Sequence, residues 1–282
     1  MTPLAQVSTE RIAIQGVKGA FHEIAARKFF GPAIELEECM SFPDLFQAMD
    51  EQRTKIGVVA IENTLAGTIL PNYALLRNST FNIMGEIYLR IEHQLCGIRG
   101  GKIADLREVF SHPMAIEQCR QFFKDYPHIR LVESEDTAGS AEMVNRENNP
   151  AYAAIASELA AKHYQLDVLA RNIETNPFNY TRFWIIAEEV NLPNLSKINK
   201  ASLCFNLKHQ VGSLSQILLL LGGHGMNLTK IQSLPIVGKA WQYFFHIDLE
   251  FDDYEQYQRA IASIQFQVDE LKILGEYTRG EK

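Results

Sequence analysis

Short apolar runs alternate with amphipathic helical patterns over residues 11–190. This alternation is typical of a mostly parallel sheet that carries helices on both faces. The run "KIGVVAIEN" at 55–63 is the most apolar of them, as expected of a strand buried inside such a sheet. Extended segments near 87–95 and 167–174 separate two strand–helix series. We therefore predict an α/β fold with two lobes and a cleft between them.

The pattern changes after "VNLPNLSKINK" at 190–200, a stretch whose asparagines and proline are typical of a linker. The strand and helix patterns beyond it follow the order βαββαβ, which is the ferredoxin-like plan. We therefore predict an α/β domain over 9–189, a linker over 190–200 and a ferredoxin-like domain over 201–277.

The charge and the apolar runs of the sequence argue against nucleic-acid binding and against a membrane-spanning segment. The 282 residues carry a net charge of −7 with both signs mixed along the chain, and the lack of a basic block argues against nucleic-acid binding. The N-terminal stretch does not have the pattern of a signal peptide, and the longest apolar run, "ILLLLGG" at 217–223, is too short to span a bilayer. Cys39, Cys96, Cys119 and Cys204 are scattered, as expected of free thiols in a reducing compartment. We expect a cytoplasmic protein.

Polar residues cluster at the ends of five apolar elements, and the ends of strands and helices are where open α/β sheets bind their ligands. In chain order the clusters are "GVKGAFHE" at 16–23, "IENTLAGT" at 61–68, "SHPMAIEQC" at 111–119, "SEDTAGSAE" at 134–142 and Thr181-Arg182.

Each cluster alone has an ordinary structural interpretation. Ser111 is expected to cap the helix that follows it, with His112 at the positive end of that helix, and Asp136 or Thr137 to cap the next one. Arg182 alone is equally well explained by a structural ion pair. Together the clusters offer hydroxyls, amides, helix N-termini and one arginine, without metal-ligand spacing or a nucleophile–histidine–acid pattern. That set suits a site that holds carboxylates and moves one proton.

Six motifs in sequence order carry a family resemblance: "AIQGVKGAFHEIAA", "GVVAIENTLAGTI", "SHPMAIEQC", "DTAGSAEMV", "AAIASELAAKHYQLDVLARNI" and "NYTRFWII". They resemble the prephenate dehydratase family, in its monofunctional type with a C-terminal ACT regulatory domain. The resemblance covers about 11–277 and implies a catalytic domain with the two-lobed plan of periplasmic binding proteins. The plant arogenate dehydratases share the same motifs.

The resemblance implies a reaction in which prephenate loses its ring hydroxyl and ring carboxylate together, giving phenylpyruvate, carbon dioxide and water. Neither a metal nor an organic cofactor is needed. Thr181 is expected to donate a proton or a strong hydrogen bond to the departing oxygen, and Arg182 to grip a substrate carboxylate or to support the loop. Glu62 is expected to order the site, because a carboxylate close to a dianion would repel it. The expected substrate residues are Glu62, Asn63, Thr64, Ser111, His112, Gln118, Thr137, Ala138 and Phe183.

Three positions depart from the family pattern. Ala20 and His22 stand where the first motif usually has a threonine and a serine, so the contacts expected from that turn change. Met114 replaces the usual glutamine after Ser-His-Pro, although Gln118 remains.

The C-terminal part resembles ACT domains, which in this family bind phenylalanine at a subunit interface. The resemblance implies L-phenylalanine as an allosteric ligand and a homodimer or homotetramer. Gln232 and Leu234 replace a glutamate and an arginine of the family pattern, and this replacement either leaves a neutral paired loop or weakens inhibitor binding. The expected effector contacts are Gly212, Ser213, Leu214, Asn227 and Leu228.

Two alternatives stay open at this point. One is arogenate dehydration, whose substrate carries an ammonium group where prephenate has a keto oxygen. The other is a non-catalytic amino-acid sensor made of two lobes and an ACT module. The presence of both Thr181 and Arg182 argues against the sensor.

Overall fold

The computed structural model describes residues 11–188, 195–208, 210–236, 238–239 and 241–281. The predicted domain ends at 9 and 189, and residues 190–194 of the predicted linker, lie outside the described residues.

Strands and helices alternate along most of the described chain. The strands are β1 Arg11–Gln15, β2 Glu35–Cys39, β3 Ile56–Asn63, β4 Gly67–Thr68, β5 Asn82–Arg90, β6 Gln94–Gly97, β7 Glu108–Ser111, β8 Arg130–Glu133, β9 Tyr152–Ala156, β10 Asp167–Ala170, β11 Tyr180–Ala187, β12 Lys200–Asn206, β13 Asn227–Pro235, β14 Tyr243–Glu250 and β15 Glu270–Tyr277. The helices are α1 Phe21–Phe30, α2 Phe42–Asp50, α3 Leu70–Asn78, α4 Pro113–Phe123, α5 Thr137–Glu147, α6 Glu158–His163, α7 Ser213–Gly223 and α8 Tyr254–Gln265.

Local sequence explains where these elements start and stop. Helix α1 ends at Gly31, whose φ of 92° favours glycine. Helix α2 begins after Ser41, whose hydroxyl oxygen accepts a hydrogen bond from the backbone N–H of Asp44, as serine favours at this capping position.

The first two sheets give the two-lobed α/β architecture predicted from the sequence. The first sheet has the strand order β2-β1-β3-β11-β5, with β4 paired to β3. The second has the order β10-β6-β9-β7-β8. β1 is parallel to β2 and β3, and β7 is parallel to β8 and β9. β6 is antiparallel to β9 and β10, so the second sheet is mixed. Only β6, by which the chain enters this sheet, runs opposite to the other four strands, and no βαβ crossover fixes its direction.

The chain passes from the first sheet to the second over residues 91–93 and returns over 171–179. The return lies later than the extended segment predicted near 167–174, because 167–170 pair with β6 as strand β10. The two passages are bonded to each other: the N–H of Ile91 donates to the carbonyl of Asn179, and that of Ile173 donates to the carbonyl of His93. Asn179 thereby lies beside Ile91, two residues before His93, where the two lobes are joined.

The C-terminal part has the predicted ferredoxin-like order β12-α7-β13-β14-α8-β15. Its sheet has the strand order β13-β14-β12-β15, and each strand is antiparallel to its neighbours. Alternating residues of β12 and β14 form its core with the apolar sides of α7 and α8. This core includes Leu203, Phe205, Ile247, Leu249, Ile217, Leu221, Tyr257 and Ile264.

The chain divides into two compact units that differ from the predicted domains. The first contains residues up to Thr68 together with Ile87–Phe183, and the second joins Ile69–Glu86 to the residues from Trp184 onward. Helix α3 belongs to the second unit because it packs on the C-terminal sheet. There the guanidinium of Arg77 lies 3.9 Å from the ring centroid of Phe244, and Lys272 Nζ donates to the carbonyl of Arg77 at 2.8 Å.

A buried lysine binds the two pieces of the second unit together. Lys200 is 1% exposed, and its Nζ lies 3.0 Å from Glu86 Oε1 and 3.4 Å from Glu250 Oε1. Lys200→Met removes the cation that faces the buried Glu86 carboxylate, whose Oε1 also accepts from the N–H of Gly280. We expect it to lower the free energy of unfolding by about 3–5 kcal/mol, measured by chemical denaturation.

The matched control for Lys200→Met is Arg259→Met, which removes a cation whose 3.9 Å pair with Glu255 is exposed. That loss should be no more than about 1 kcal/mol. If Lys200→Met and Arg259→Met lowered the free energy of unfolding equally, the buried pair would contribute no more than an exposed one.

No helix in the described part of the chain is both long enough and apolar enough to cross a membrane.

Candidate active site

Asn63 and Thr181 meet where β3 ends and its neighbour β11 begins. The Oδ1 of Asn63 accepts two backbone hydrogen bonds, from Leu65 N and Ala66 N, both at 2.9 Å. These backbone donors fix the orientation of the side-chain amide. Its Nδ2 therefore faces β11, where it donates to Thr181 Oγ1 at 3.0 Å and to Asn179 Oδ1 at 2.8 Å.

The hydroxyl of Thr181 is an acceptor toward the protein. Its oxygen takes the proton of Asn63 Nδ2, and within the described part of the chain no acceptor takes the hydroxyl proton of Thr181. The residue is 8% exposed, so the group lies in a largely dry position. A hydroxyl that accepts from one side keeps its own hydrogen for a ligand on the other side.

An amide chain formed by Asn63, Asn179 and Gln118 connects the two sheets. Asn179 is fully buried, and its Nδ2 donates to Gln118 Oε1 at 2.9 Å. Gln118 lies on α4, which follows β7 of the second sheet. The same Oε1 lies 2.9 Å from His93 Nε2. The structure thus joins Asn63, Gln118 and Thr181, which the sequence analysis expects in one site, into one polar network.

Arg182 leaves strand β11 on the face opposite to Thr181, because successive side chains of a strand alternate. It is buried, and its guanidinium carbon lies 5.9 Å from the ring centroid of Tyr88. Phe183 shares the face of Thr181, and its ring packs edge-on against the imidazole of His22 at 5.0 Å. The two roles expected for Arg182, gripping a substrate carboxylate or supporting the loop, both stay predictions.

Thr64 holds the turn that precedes β11. Its hydroxyl donates to the carbonyl of Phe178 at 2.8 Å and accepts from the N–H of Tyr180 at 2.9 Å. Glu62 pairs in register with Thr68 of β4. The hydroxyl of Thr64 is therefore committed to the backbone that positions Thr181.

The prediction that Ser111 caps helix α4 is wrong. Ser111 is the last residue of β7 and is fully buried, and its hydroxyl donates to the carbonyl of Ile155 on β9 at 2.7 Å. The helix begins at Pro113, so the capping position falls on His112, whose Nδ1 accepts from Met114 N at 3.2 Å. His112 is exposed at the positive end of α4, as expected from the sequence.

Asp136 caps helix α5, which settles the choice between Asp136 and Thr137. Its Oδ2 accepts from the N–H of Gly139 at 2.7 Å. Burial raises the pKa of the Asp136 carboxyl, against the opposing effect of the bond from Gly139. Thr137 is the first residue of α5, and Ala138 behind it is fully buried.

His22, which stands where the family pattern has a serine, is buried. Burial lowers the pKa of His22 to about 3, so the ring is neutral at neutral pH. Its Nε2 is buried without a hydrogen-bond partner among the described residues. The ring packs between Phe42, at 5.5 Å, and Phe183.

The turn before α1 fits tightly against the second lobe at Gly19. The carbonyl of Gly19 accepts from Ser157 Oγ at 2.6 Å, and a Cβ at Gly19 would lie 2.5 Å from the Cα of Ala160. Its φ is +90°. We expect Gly19→Ala to lower the free energy of unfolding by about 2–5 kcal/mol in a denaturation titration, since strain and overpacking add.

Gly31→Ala is the matched control for Gly19→Ala, because Gly31 has a φ of +92° and nothing within 4 Å of an added Cβ. It should show the backbone strain alone. A loss as large as that of Gly19→Ala would contradict the steric part of the explanation.

The described residues contain no group of three or more His, Cys, Asp or Glu side chains that could hold a metal ion. The four cysteines are buried free thiols. Burial raises the pKa of Cys39 and Cys204 to about 11 and that of Cys96 to about 12. These thiols are therefore not activated nucleophiles.

The family model of prephenate dehydratase matches residues 12–191. The chain belongs to the prephenate dehydratase family. Among curated relatives, a bifunctional chorismate mutase/prephenate dehydratase of Aquifex aeolicus is 35% identical over 271 residues, which cover 95% of this chain and 74% of the relative. An arogenate dehydratase/prephenate dehydratase of Arabidopsis thaliana is also 35% identical, over 280 residues that cover 96% and 73% of the two chains. The monofunctional arrangement stays a prediction.

Two solved structures resemble the prephenate dehydratase fold of this chain along nearly its whole length. A protein described as a novel type of quorum quenching acylase has a TM-score of 0.87 and 33% identity, with 95% of this chain and 97% of that chain covered. The prephenate dehydratase of Arthrobacter aurescens, in complex with L-Phe, has a TM-score of 0.86 and 26% identity, with 95% and 90% covered.

The expected effector residues lie in the second unit, around the start of α7 and of β13. Gly212 caps α7 with a φ of 86°. Ser213 and Leu214 line a cavity of about 100 Å³. Asn227 is exposed at the start of β13, and Leu228 packs against the core of the sheet. The other residues that line the cavity are Leu207, Lys208, Gln210, Trp241, Gln242, Tyr243 and Phe245.

The sequence analysis missed Asn179 and His93. Asn179 stands two residues before Thr181, and His93 lies in the first passage between the sheets. A usable signal was present, because each is a polar residue at an extended crossing, where a buried side chain needs a partner.

Proposed function

We propose that this chain is a prephenate dehydratase, which converts prephenate to phenylpyruvate with loss of water and carbon dioxide. The observation that carries the proposal is the hydroxyl of Thr181. It accepts a hydrogen bond from Asn63 and so keeps its proton for the substrate. Thr181 is the catalytic residue of this proposal.

The reaction is difficult because hydroxide is a poor leaving group. In the proposed step the ring carbon–oxygen bond breaks, and the oxygen leaves as water with the proton of Thr181. The electron pair of the bond to the ring carboxylate moves into the ring, and carbon dioxide departs. Thr181 then recovers a proton from solvent. A positioned general acid contributes about 10²–10⁴-fold to such a step. The dry surroundings strengthen the interaction as charge builds on the leaving oxygen.

The remaining contacts belong to the same proposal. The Nε2 of Gln118 has no hydrogen-bond partner among the described residues, since its Oε1 takes both bonds of the amide chain. We infer that this NH₂ group, the N-terminus of α4 at His112 and the side chain of Thr137 bind carboxylate and carbonyl oxygens, since Asp136 already accepts from the N–H groups at the start of α5. Phe183 and Ala138 are buried, and in this proposal they pack behind the site rather than contact the substrate.

Regulation by L-phenylalanine is the second part of the proposal. Residues 9–189 form the catalytic domain, and 201–277 form an ACT domain that binds the effector. Its support is the ferredoxin-like order of the last strands and the cavity at Ser213 and Leu214. The relative from Arthrobacter aurescens was solved with L-Phe. A homodimer or homotetramer is proposed on the same grounds.

A second candidate follows from the neighbour described as an acylase. Amide hydrolysis needs a nucleophile next to a base, whereas Thr181 Oγ1 receives its hydrogen bond from an amide. The geometry therefore favours dehydration. Arogenate, which carries an ammonium group, remains the alternative dehydration substrate because one relative is named for both activities.

The test is a substrate panel with purified protein. Prephenate, arogenate and an N-acylated amide are each supplied alone, and product formation is followed with and without L-phenylalanine. We expect the highest kcat/KM with prephenate, and inhibition by phenylalanine. Preference for arogenate, cleavage of the amide, or no turnover of any substrate would each overturn the assignment.

A further inference from the structure

His93 occupies a buried position at the far end of the amide chain. It is 2% exposed, and its Nε2 lies 2.9 Å from Gln118 Oε1. Its backbone N–H donates to Glu174 Oε2 at 2.9 Å, and its ring meets Phe21 edge-on at 5.6 Å. Its Nδ1 has no hydrogen-bond partner among the described residues. The imidazole is therefore held by one side-chain hydrogen bond.

The donor and the acceptor of each hydrogen bond in the amide chain are set by the backbone contacts of Asn63, at the end opposite to His93. Leu65 N and Ala66 N fix the Oδ1 of Asn63, so its Nδ2 must face Asn179. Asn179 then presents its Oδ1 to Asn63 and its Nδ2 to Gln118.

Gln118 in turn presents its Oε1 to Asn179, so the same oxygen faces His93. An amide oxygen only accepts, and Nε2 of His93 must therefore carry the proton.

We propose that His93 is a positioning residue of the dehydration reaction. As the Nε2–H tautomer it locks the amide of Gln118 and, through Asn179 and Asn63, helps hold the proton of Thr181 toward the substrate. The inference rests on the proposed function of the same site. It adds a residue that does not touch Thr181.

The opposite tautomer disrupts the whole chain. With the proton on Nδ1, Nε2 would accept, and Gln118 would turn its NH₂ toward His93 and its oxygen away from both former donors. The NH₂ group of Asn179 would then lose its acceptor. If the Asn179 amide rotated instead, its NH₂ group would face the NH₂ group of Asn63, whose orientation is fixed by the N–H groups of Leu65 and Ala66. Burial also lowers the pKa of His93, against the opposing effects of Gln118 and Glu174, so the ring is neutral.

The kinetic test compares two replacements of His93. His93→Gln keeps an N–H donor at the reach of Nε2, and His93→Met keeps the bulk without a donor. We expect His93→Met to lower kcat roughly tenfold with little change in KM, since a buried group loses its partner. His93→Gln should stay within about threefold of the wild type. Equal kcat losses in the two variants would overturn the proposal.

A double-mutant cycle separates positioning from a general structural effect. In a Gln118→Met background the hydrogen bonds between His93 and Asn179 are already lost, so adding His93→Met should lower kcat no further. Losses that multiply in the double variant would contradict action through Gln118. The melting temperatures of the variants, measured alongside, report any loss of fold.

The tautomer itself is measurable without activity. Nitrogen-15 NMR of the histidine rings, with the His93 signal assigned by its absence in His93→Gln, should show a neutral ring protonated at Nε2. A ring protonated at Nδ1 overturns the proposal even in an active enzyme. If the protein fails to turn over prephenate while the Nε2–H tautomer is present, the proposed function fails and the positioning role in dehydration fails with it, whereas the hydrogen-bond chain stands.

Discussion

Thr181→Val should lower the kcat for prephenate dehydration by about 10²–10⁴-fold and leave the protein folded. Valine has nearly the shape of threonine, so the packing of β11 is kept while the donor to the leaving oxygen is lost. Asn63 Nδ2 keeps its bonds to Asn179 Oδ1 and to the carbonyl of Tyr180, so no buried donor is left without an acceptor. Steady-state formation of phenylpyruvate measures the loss, and the melting temperature reports the fold.

Thr181→Ser is the matched control, because serine keeps the hydroxyl and removes only a methyl group. Its kcat should stay within about tenfold of the wild type, with the difference due to a looser rotamer. A Thr181→Val enzyme with a near-normal rate would show that the donor is a different group.

Asn63→Asp should lower kcat about 100-fold or more, because it reverses the hydrogen bond to Thr181. Its carboxylate can still accept from Leu65 N and Ala66 N, but its second oxygen would face Asn179 Oδ1 and Thr181 Oγ1. Thr181 would then donate to the carboxylate instead of the substrate. The new negative charge also repels a dianionic substrate, so KM should rise. Initial rates over a range of prephenate concentrations separate the two effects.

Asn145→Asp makes the same chemical change on the exposed side of α5. It controls for added charge, and its kinetics should match the wild type within about twofold, since exposed charges are screened. An Asn63→Asp enzyme that behaved like Asn145→Asp would contradict the directional role of Asn63.

The sequence was sufficient to predict features that depend on neighbouring residues. The capping of α2 by Ser41, the end of α1 at Gly31 and the ferredoxin-like order at the C-terminus follow from local patterns. Placing Asn63 and Thr181 in one site was possible because each stands at the end of an apolar run, where side chains leave the core.

Other features depend on contacts between distant parts of the chain. Asn179 is positioned by Asn63 and Gln118, which lie 116 and 61 residues away in sequence. Ser111 was expected to cap α4, but its hydroxyl turns to a carbonyl of the neighbouring strand. The hydroxyl of Ser111 bonds to β9 because β7 and β9 are neighbours in the sheet, and the residues around Ser111 in sequence do not specify that pairing.

The proposed reaction is tested by measuring phenylpyruvate and carbon dioxide together while the purified protein is incubated with prephenate. We expect equal molar amounts of the two products from the wild type, and a rate reduced at least about 100-fold in Thr181→Val. Prephenate left intact by the wild-type protein, or consumed equally fast by both proteins, would contradict it.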